Sequence, residues 1–156
     1  MVDFAKALKD RKADVLAGRI CPYCGDVPEK VDSAEVYGGR SYGPILLCRP
    51  CGAYVGFHKN SDKPLGRLAD AQLREAKKKA HACFDALWQA KMKKGASKPI
   101  ARSLAYKWLS KEMELPQEEC HIGMMDVHQC EQVVDLCTPW VEKIRRPSPP
   151  RTVASA

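Results

Sequence analysis

Two short runs of nearly the same chemistry punctuate the first third of the chain: Cys21-Pro22-Tyr23-Cys24-Gly25 and Cys48-Arg49-Pro50-Cys51-Gly52. A two-residue gap between cysteines lets one tight turn present two sulfurs to one ion. The glycine that follows lets the backbone curl so that amide N–H groups point at the thiolates. Between the knuckles lie 23 residues, enough for the strands and turn that bring them together. Four thiolates in a closed tetrahedron suit zinc, with iron the second choice. The spacing therefore predicts a Zn2+ site held by Cys21, Cys24, Cys48 and Cys51. Such a closed site has no open position for water, so the ion is structural rather than catalytic. A ribbon of about forty residues cannot bury enough apolar surface to offset its ordering entropy. Structural zinc binding contributes on the order of 10–16 kcal/mol in small peptides, enough to decide whether the ribbon exists.

The segment between the knuckles carries a second kind of chemistry, in Tyr37-Gly38-Gly39-Arg40-Ser41-Tyr42-Gly43. Glycines allow close approach of a backbone to a ligand, Arg40 can pair with phosphate, and the tyrosines can stack on bases. His58 and Lys59 follow the second knuckle, and Lys77, Lys78 and Lys79 with Lys91, Lys93 and Lys94 form a basic stretch further on. A cationic helix face can lie along a phosphate backbone. The plainer reading is a solvated loop tip and lysines that keep an amphipathic helix soluble.

A third set is sparser. His81 and Asp85 are one helical turn apart, next to Trp88, and Cys120, His121, Asp126, His128 and Cys130 come later. Should the last helix pack on the long one, His81, His121 and Asp126 would converge as an acid–base group, or His81, His121, His128, Cys120 and Cys130 as a second metal site. Nothing in the spacing matches a catalytic motif, and buried histidines with inert packing thiols explain the same residues. Cys83, Cys130 and Cys137 read as small hydrophobes.

These residues need elements to position them. Residues 2 to about 17 read as a short helix with Phe4, Leu8, Val15 and Leu16 apolar and Gly18 as terminator. Short β-like runs at 34–37, 45–47 and 54–57 alternate with glycine and proline breaks, and 58–66 reads as a polar linker. Asp70 caps a long helix ending before Gly95, whose inner stripe is Leu73, Ala76, Ala80, Phe84, Leu87 and Trp88. Ser97 and Pro99 start another, with Ile100, Leu104, Ala105 and Trp108 facing inward, ended by Pro116. Asp126 and Gln129 fit a capping box, with Met125 and Cys130 as its staple, opening a helix whose apolar face is Val127, Cys130, Val133, Val134 and Cys137.

The fold expected is thus α+β: an N-terminal zinc ribbon of short antiparallel strands packed with a small C-terminal helical domain. Its parts are a helix over 1–18, the ribbon over 19–66, the helical domain over 67–144 and a disordered basic tail over 145–156. That tail carries Arg145, Arg146 and Arg151. With 45% of its residues apolar the chain can form a core, and 29% charged keeps it soluble. No run is long and apolar enough for a membrane, and the N-terminus lacks a signal-peptide pattern, which points to the cytoplasm. There, eight cysteines read as ligands or buried thiols rather than disulfides. Four thiolates and a divalent ion lower the formal charge of +7 by two, leaving a basic chain suited to a polyanion.

The runs CPYCG, Ser41-Tyr42-Gly43, CGAYVG and Lys63-Pro64-Leu65-Gly66, with Ala80-His81-Ala82-Cys83-Phe84-Asp85 and Cys120-His121-Ile122-Gly123-Met124, resemble a family of short zinc-finger-containing proteins of phages and bacteria. The likeness covers roughly residues 19–137. It implies the four-cysteine site and a small accessory protein, and it carries over no catalytic residue. Function is expected to be that of a non-enzymatic nucleic-acid-binding module, for DNA or RNA, using Arg40, Tyr42, Lys59, Lys77 and Lys78. A module docking on a host protein complex, in transcription or defence, is the nearest alternative. A nuclease or other hydrolase built on His81, His121 and Asp126 comes third. No small-molecule cofactor is expected.

Overall fold

A computed structural model describes residues 3–146, so Arg151 and the rest of the expected tail beyond residue 146 lie outside the described residues. The elements run α1 (Phe4–Leu16), β1 (Glu29–Asp32), β2 (Pro44–Leu47), β3 (Tyr54–Gly56), α2 (Ala71–Lys93), α3 (Lys98–Met113) and α4 (Val127–Arg145), with three short 3-10 turns. The architecture is α+β, a three-stranded antiparallel sheet in the order β1-β2-β3 beside the helices. Pairing sets Val31 opposite Ile45 and Leu46 opposite Val55. Arg145 and Arg146, expected in the tail, are the last residue of α4 and its C-cap.

Three local readings differ from the sequence expectation. Residues 33–35 form a 3-10 turn rather than a strand, because the Asp32 carboxylate accepts from the Ala34 N–H and breaks the extended run. The true first strand, Glu29–Asp32, is mostly charged and exposed and carries no apolar alternation to betray it. Residues 58–66 are folded back rather than a loose linker. Phe57 pairs with Pro64, Tyr54 pairs with Ala69, and Leu68 is fully buried in the ribbon's small core with Cys21, Cys48 and Ala53.

The long helix is capped as expected, Asp70 accepting from the Leu73 N–H at 2.8 Å, and it buries Leu73, Ala80, Phe84 and Trp88. It packs along α4 and, over a shorter length, α3. The capping box of α4 is complete, Gln129 N–H to Asp126 at 2.8 Å and Asp126 N–H to Gln129 at 3.1 Å, with Met125 and Cys130 both buried. Helix α3 is rotated by about one residue from the expected face. Ala101, Ala105 and Leu109 are inward, while Ile100 and Leu104 are exposed. The alanines let α3 approach α2 closely enough for Tyr106 to lie 4.4 Å from the Phe84 ring; isoleucine and leucine there would hold the helices apart.

Sheet and helices are joined by backbone. The Tyr23 hydroxyl accepts from the Asp70 N–H at 3.2 Å, so the first knuckle touches the start of α2. Gly66 is buried against Gly123: a Cβ placed on it would lie 2.1 Å from the Gly123 carbonyl oxygen. Lys77 Nζ donates to that same oxygen at 2.9 Å. Substituting Gly66→Ala must push two backbones apart, and overpacking of this kind costs about 1–3 kcal/mol. Urea unfolding of the variant should show a loss at or above the upper end of that range; a loss below about 0.5 kcal/mol would mean the junction gives way easily.

Candidate metal centre and adjoining groove

Each knuckle is closed by the same pair of hydrogen bonds. Cys21 N–H donates to the Asp26 carbonyl at 2.8 Å and Gly25 N–H to the Cys21 carbonyl at 2.9 Å; Cys48 N–H donates to Ala53 at 2.9 Å and Gly52 N–H to Cys48 at 2.8 Å. Gly25 and Gly52 sit at φ +80° and +70°, the left-handed region that a side chain would resist. Strand β2 leads straight into the second knuckle, and β1 meets it through Arg49, which donates to Glu29 at 2.7 Å and to Glu35 at 2.8 Å.

The four Cys Sγ atoms all lie within 4.8 Å of one another, Cys24 and Cys48 at 3.5 Å. Tetrahedral Zn–S bonds of about 2.3 Å require sulfurs about 3.8 Å apart, so the cage fits a zinc-sized ion. Cys21 and Cys48 are buried, Cys51 is half-buried and Cys24 is exposed. The Asp26 N–H holds the Cys24 thiol below its ordinary range. Burial pushes Cys48 up, and hydrogen bonding with Cys24 pushes Cys51 up to about 12. Four thiols at this spacing cannot all ionise without a cation between them. Cys21, Cys24, Cys48 and Cys51 would hold such an ion, which would supply that charge and tie the knuckles together.

The 33–43 segment is a built loop. Ser33, itself buried, accepts from the Tyr42 N–H at 2.7 Å; its own N–H reaches the Gly43 carbonyl; and Ser41 donates to Asp32 at 3.0 Å. The loop sets Tyr42 edge-on to Tyr37 at 5.3 Å, Tyr37 edge-on to Tyr54 at 5.9 Å, and the Arg74 guanidinium 4.0 Å over Tyr54. Arg40 is exposed in the same loop, and Tyr42 is 67% exposed. Lys59 lines a cavity of about 600 Å³ with Tyr37, Tyr42, Tyr54 and His58. A second cavity, of about 730 Å³, shares Tyr54, Gly56, His58 and Leu65 with it and continues between ribbon and helices. Among the described residues, no Asp or Glu lines either one.

The lysines of α2 divide. Lys78 is exposed, and its charge bears on the Tyr37 phenol. Lys77, expected on the solvent side with it, is turned inward to Gly123, because successive residues of a helix point about 100° apart. His81 and His121 both line the second cavity, where His121 is 5.2 Å from the Tyr106 ring. Asp126 does not join them; its carboxylate caps α4, beside a separate cleft under α1. Nor does Asp85 bond to His81, since it accepts from the Trp88 indole at 2.8 Å. Burial lowers the His81 pKa. Cys120 and Cys130 are buried in the helical core and His128 is exposed; among the described residues these form no second cluster of three metal-ligating groups. Arg74, Arg102 and Tyr106 were missed as site residues. For Arg102 and Tyr106 the one available signal is their i,i+4 spacing on α3, which the expected inward face of Ile100 and Leu104 obscures.

Sulfurs from two matched knuckles, closed by a small sheet, define a zinc-finger type of metal-binding module. Residues 17–139 match the description of a zinc-finger-containing domain, and the chain belongs to that family. Searches of curated proteins and of solved structures find no significant match. Among the described residues no helix is long and apolar enough to cross a membrane.

Two outcomes follow from this geometry. Metal analysis of the purified chain should find one ion per chain. Chelation or Cys48→Ser should collapse the amide signals of residues 20–57 while far-ultraviolet circular dichroism changes little, because the helical core is a separate cluster. Burial pushes the Lys77 pKa down from 10.5 to about 8. The folded state then binds fewer protons than the unfolded one between those values, so this group's contribution to stability rises with pH across that window. The stability of the native chain minus that of Lys77→Met should therefore shift in favour of the native chain by on the order of 1–3 kcal/mol between pH 7 and pH 10. A pH-independent difference would mean that the ammonium is hydrated.

Proposed function

We propose that the protein is a non-enzymatic nucleic-acid-binding module, in which a Zn2+-clamped ribbon holds aromatic and cationic side chains against a strand. The observation that carries this reading is the groove lined by Tyr37, Tyr42, Tyr54, His58 and Lys59 with no carboxylate among the described residues. Arg40 is exposed in the loop that carries Tyr42, the Lys78 charge bears on Tyr37, and Arg74 lies over Tyr54. Aromatic faces accept bases of any sequence, while cations track the backbone. Hydrogen bonds fix the loop carrying Tyr42, so little ordering entropy is lost on binding.

Docking on a protein partner would most simply use the unpaired outer edge of β1. Its charged residues are engaged, Glu29 by Arg49, Lys30 by Asp62 at 2.8 Å, and Asp32 by Ser41. Of the carboxylates a hydrolase built on His81 and His121 could use, Asp126 caps α4, and Asp85, whose charge reaches His81, accepts from the Trp88 indole.

Fluorescence anisotropy with single-stranded DNA and RNA at a series of salt concentrations tests the proposal. Affinity should fall steeply with salt, and each of Arg40→Ala and Lys59→Ala should flatten the log–log slope by about 0.7–1. Tyr42→Ala should cost about 1–3 kcal/mol at every salt concentration. Absence of binding to both nucleic acids at low salt sinks the reading.

A further inference from the structure

The far part of the groove has a different composition from the aromatic part. Where the Lys63–Gly66 turn meets α2 and α3, one cavity of about 730 Å³ gathers Lys63, Arg74, Lys77, His81, Arg102 and His121. Among the described residues none of these six takes part in an ion pair. Two of them have structural duties: Arg74 donates to the Ala69 carbonyl at 2.6 Å, and Lys77 to Gly123 at 2.9 Å. Arg102 lies with its guanidinium 5.7 Å over the Tyr106 ring, and His121 lies 5.2 Å from the same ring. The Asp85 carboxylate, which accepts from the Trp88 indole and does not line the cavity, is the acid whose charge reaches His81 and Tyr106. Leu16, Ala17 and Met124 are also in the lining, so the four cations and two imidazoles border one cavity rather than spreading over an open surface.

Lys63, Arg74, Lys77 and Arg102, gathered in a concave place with no carboxylate among the described residues of its lining, repel one another, and an anion relieves that repulsion more strongly there than in open water. A guanidinium fork and imidazole N–H groups match the several oxygens of a phosphate. A monoester carries close to two negative charges at pH 7 and three terminal oxygens, whereas a diester carries one charge and two.

We propose that this pocket binds a phosphate monoester, with Arg102, His81 and His121 contacting its oxygens and Arg74 and Lys77 supplying the surrounding positive field. The monoester is either the phosphorylated end of a strand lying in the aromatic groove or a free phosphate compound. The strand-end form rests on the nucleic-acid reading above; the pocket itself does not.

The test uses the full metal-loaded chain and dye-labelled oligothymidylates of equal length bearing a 5′-phosphate, a 3′-phosphate or hydroxyls at both ends. In parallel, inorganic phosphate is titrated while the histidine ring resonances are followed. One phosphorylated strand should bind about tenfold tighter than the hydroxyl strand. That preference should vanish in Arg102→Gln and His121→Gln, with hydroxyl-strand affinity unchanged within about twofold. Both residues are exposed, so the variants should fold, which amide spectra check. Millimolar phosphate should shift the His81 and His121 resonances. Equal binding of all strands with unmoved histidines overturns the pocket and leaves the groove reading intact. Shifted histidines with no strand bound keep the pocket, assign it to a free phosphate compound and remove the groove reading. Silence in both arms removes both.

Discussion

Everything in the ribbon depends on neutralising four sulfurs that are brought closer than their charges permit. The ribbon's buried cluster consists of Cys21, Cys48, Ala53 and Leu68, so half of its core is ligand. Leu46, Cys51 and Val55 add partial cover, far less apolar surface than a domain of that length needs on its own. Strand pairing over three or four residues cannot compensate. The cage therefore anchors the end of β2, and β1 is held in turn by its ladder with β2, with the exposed Arg49–Glu29 pair beside it. From β1 the Asp32 and Ser33 contacts extend the order outward to Tyr42.

The helical part stands on ordinary packing, with Phe84, Leu109, Ile122 and Val133 fully buried between α2, α3 and α4. What makes one groove of two structures is their shared seam. Gly66 on Gly123, Lys77 on the same carbonyl and Tyr23 on the start of α2 leave the ribbon a single seat. In that seat Tyr54 belongs to both cavities, with Tyr37 edge-on to it and the Arg74 guanidinium over its ring. The aromatic and cationic residues come from elements far apart in sequence, so the groove is a product of the seam rather than of any one motif.

The metal ligands were legible because their chemistry fixes a local spacing: two cysteines three apart, a glycine next, and the pattern repeated. The caps of α2 and α4 were legible for the same reason, since Asp70 and Asp126 act within one turn. Strand β1 was not, because a short edge strand of Glu29, Lys30, Val31 and Asp32 offers no inward apolar face to recognise. The rotation of α3 was hidden too. Large side chains at Ile100 and Leu104 look like core, yet close packing on α2 favours the alanines one position further along. Of the three residues grouped as a convergent set, His81 and His121 line one cavity and Asp126 does not. Its cap role and its proximity in sequence to His121 compete, and only the three-dimensional path of the 3-10 turn at Ile122–Met124 separates them.

The contact between Gly66 and Gly123 also bears on kinetics. Two glycine backbones in direct apposition hold the ribbon close on the helices, so a ligand of the proposed groove would meet a surface already set rather than one that must close around it. Encounter is then governed by diffusion and charge, and selectivity among ligands is expressed mainly in how long each one stays.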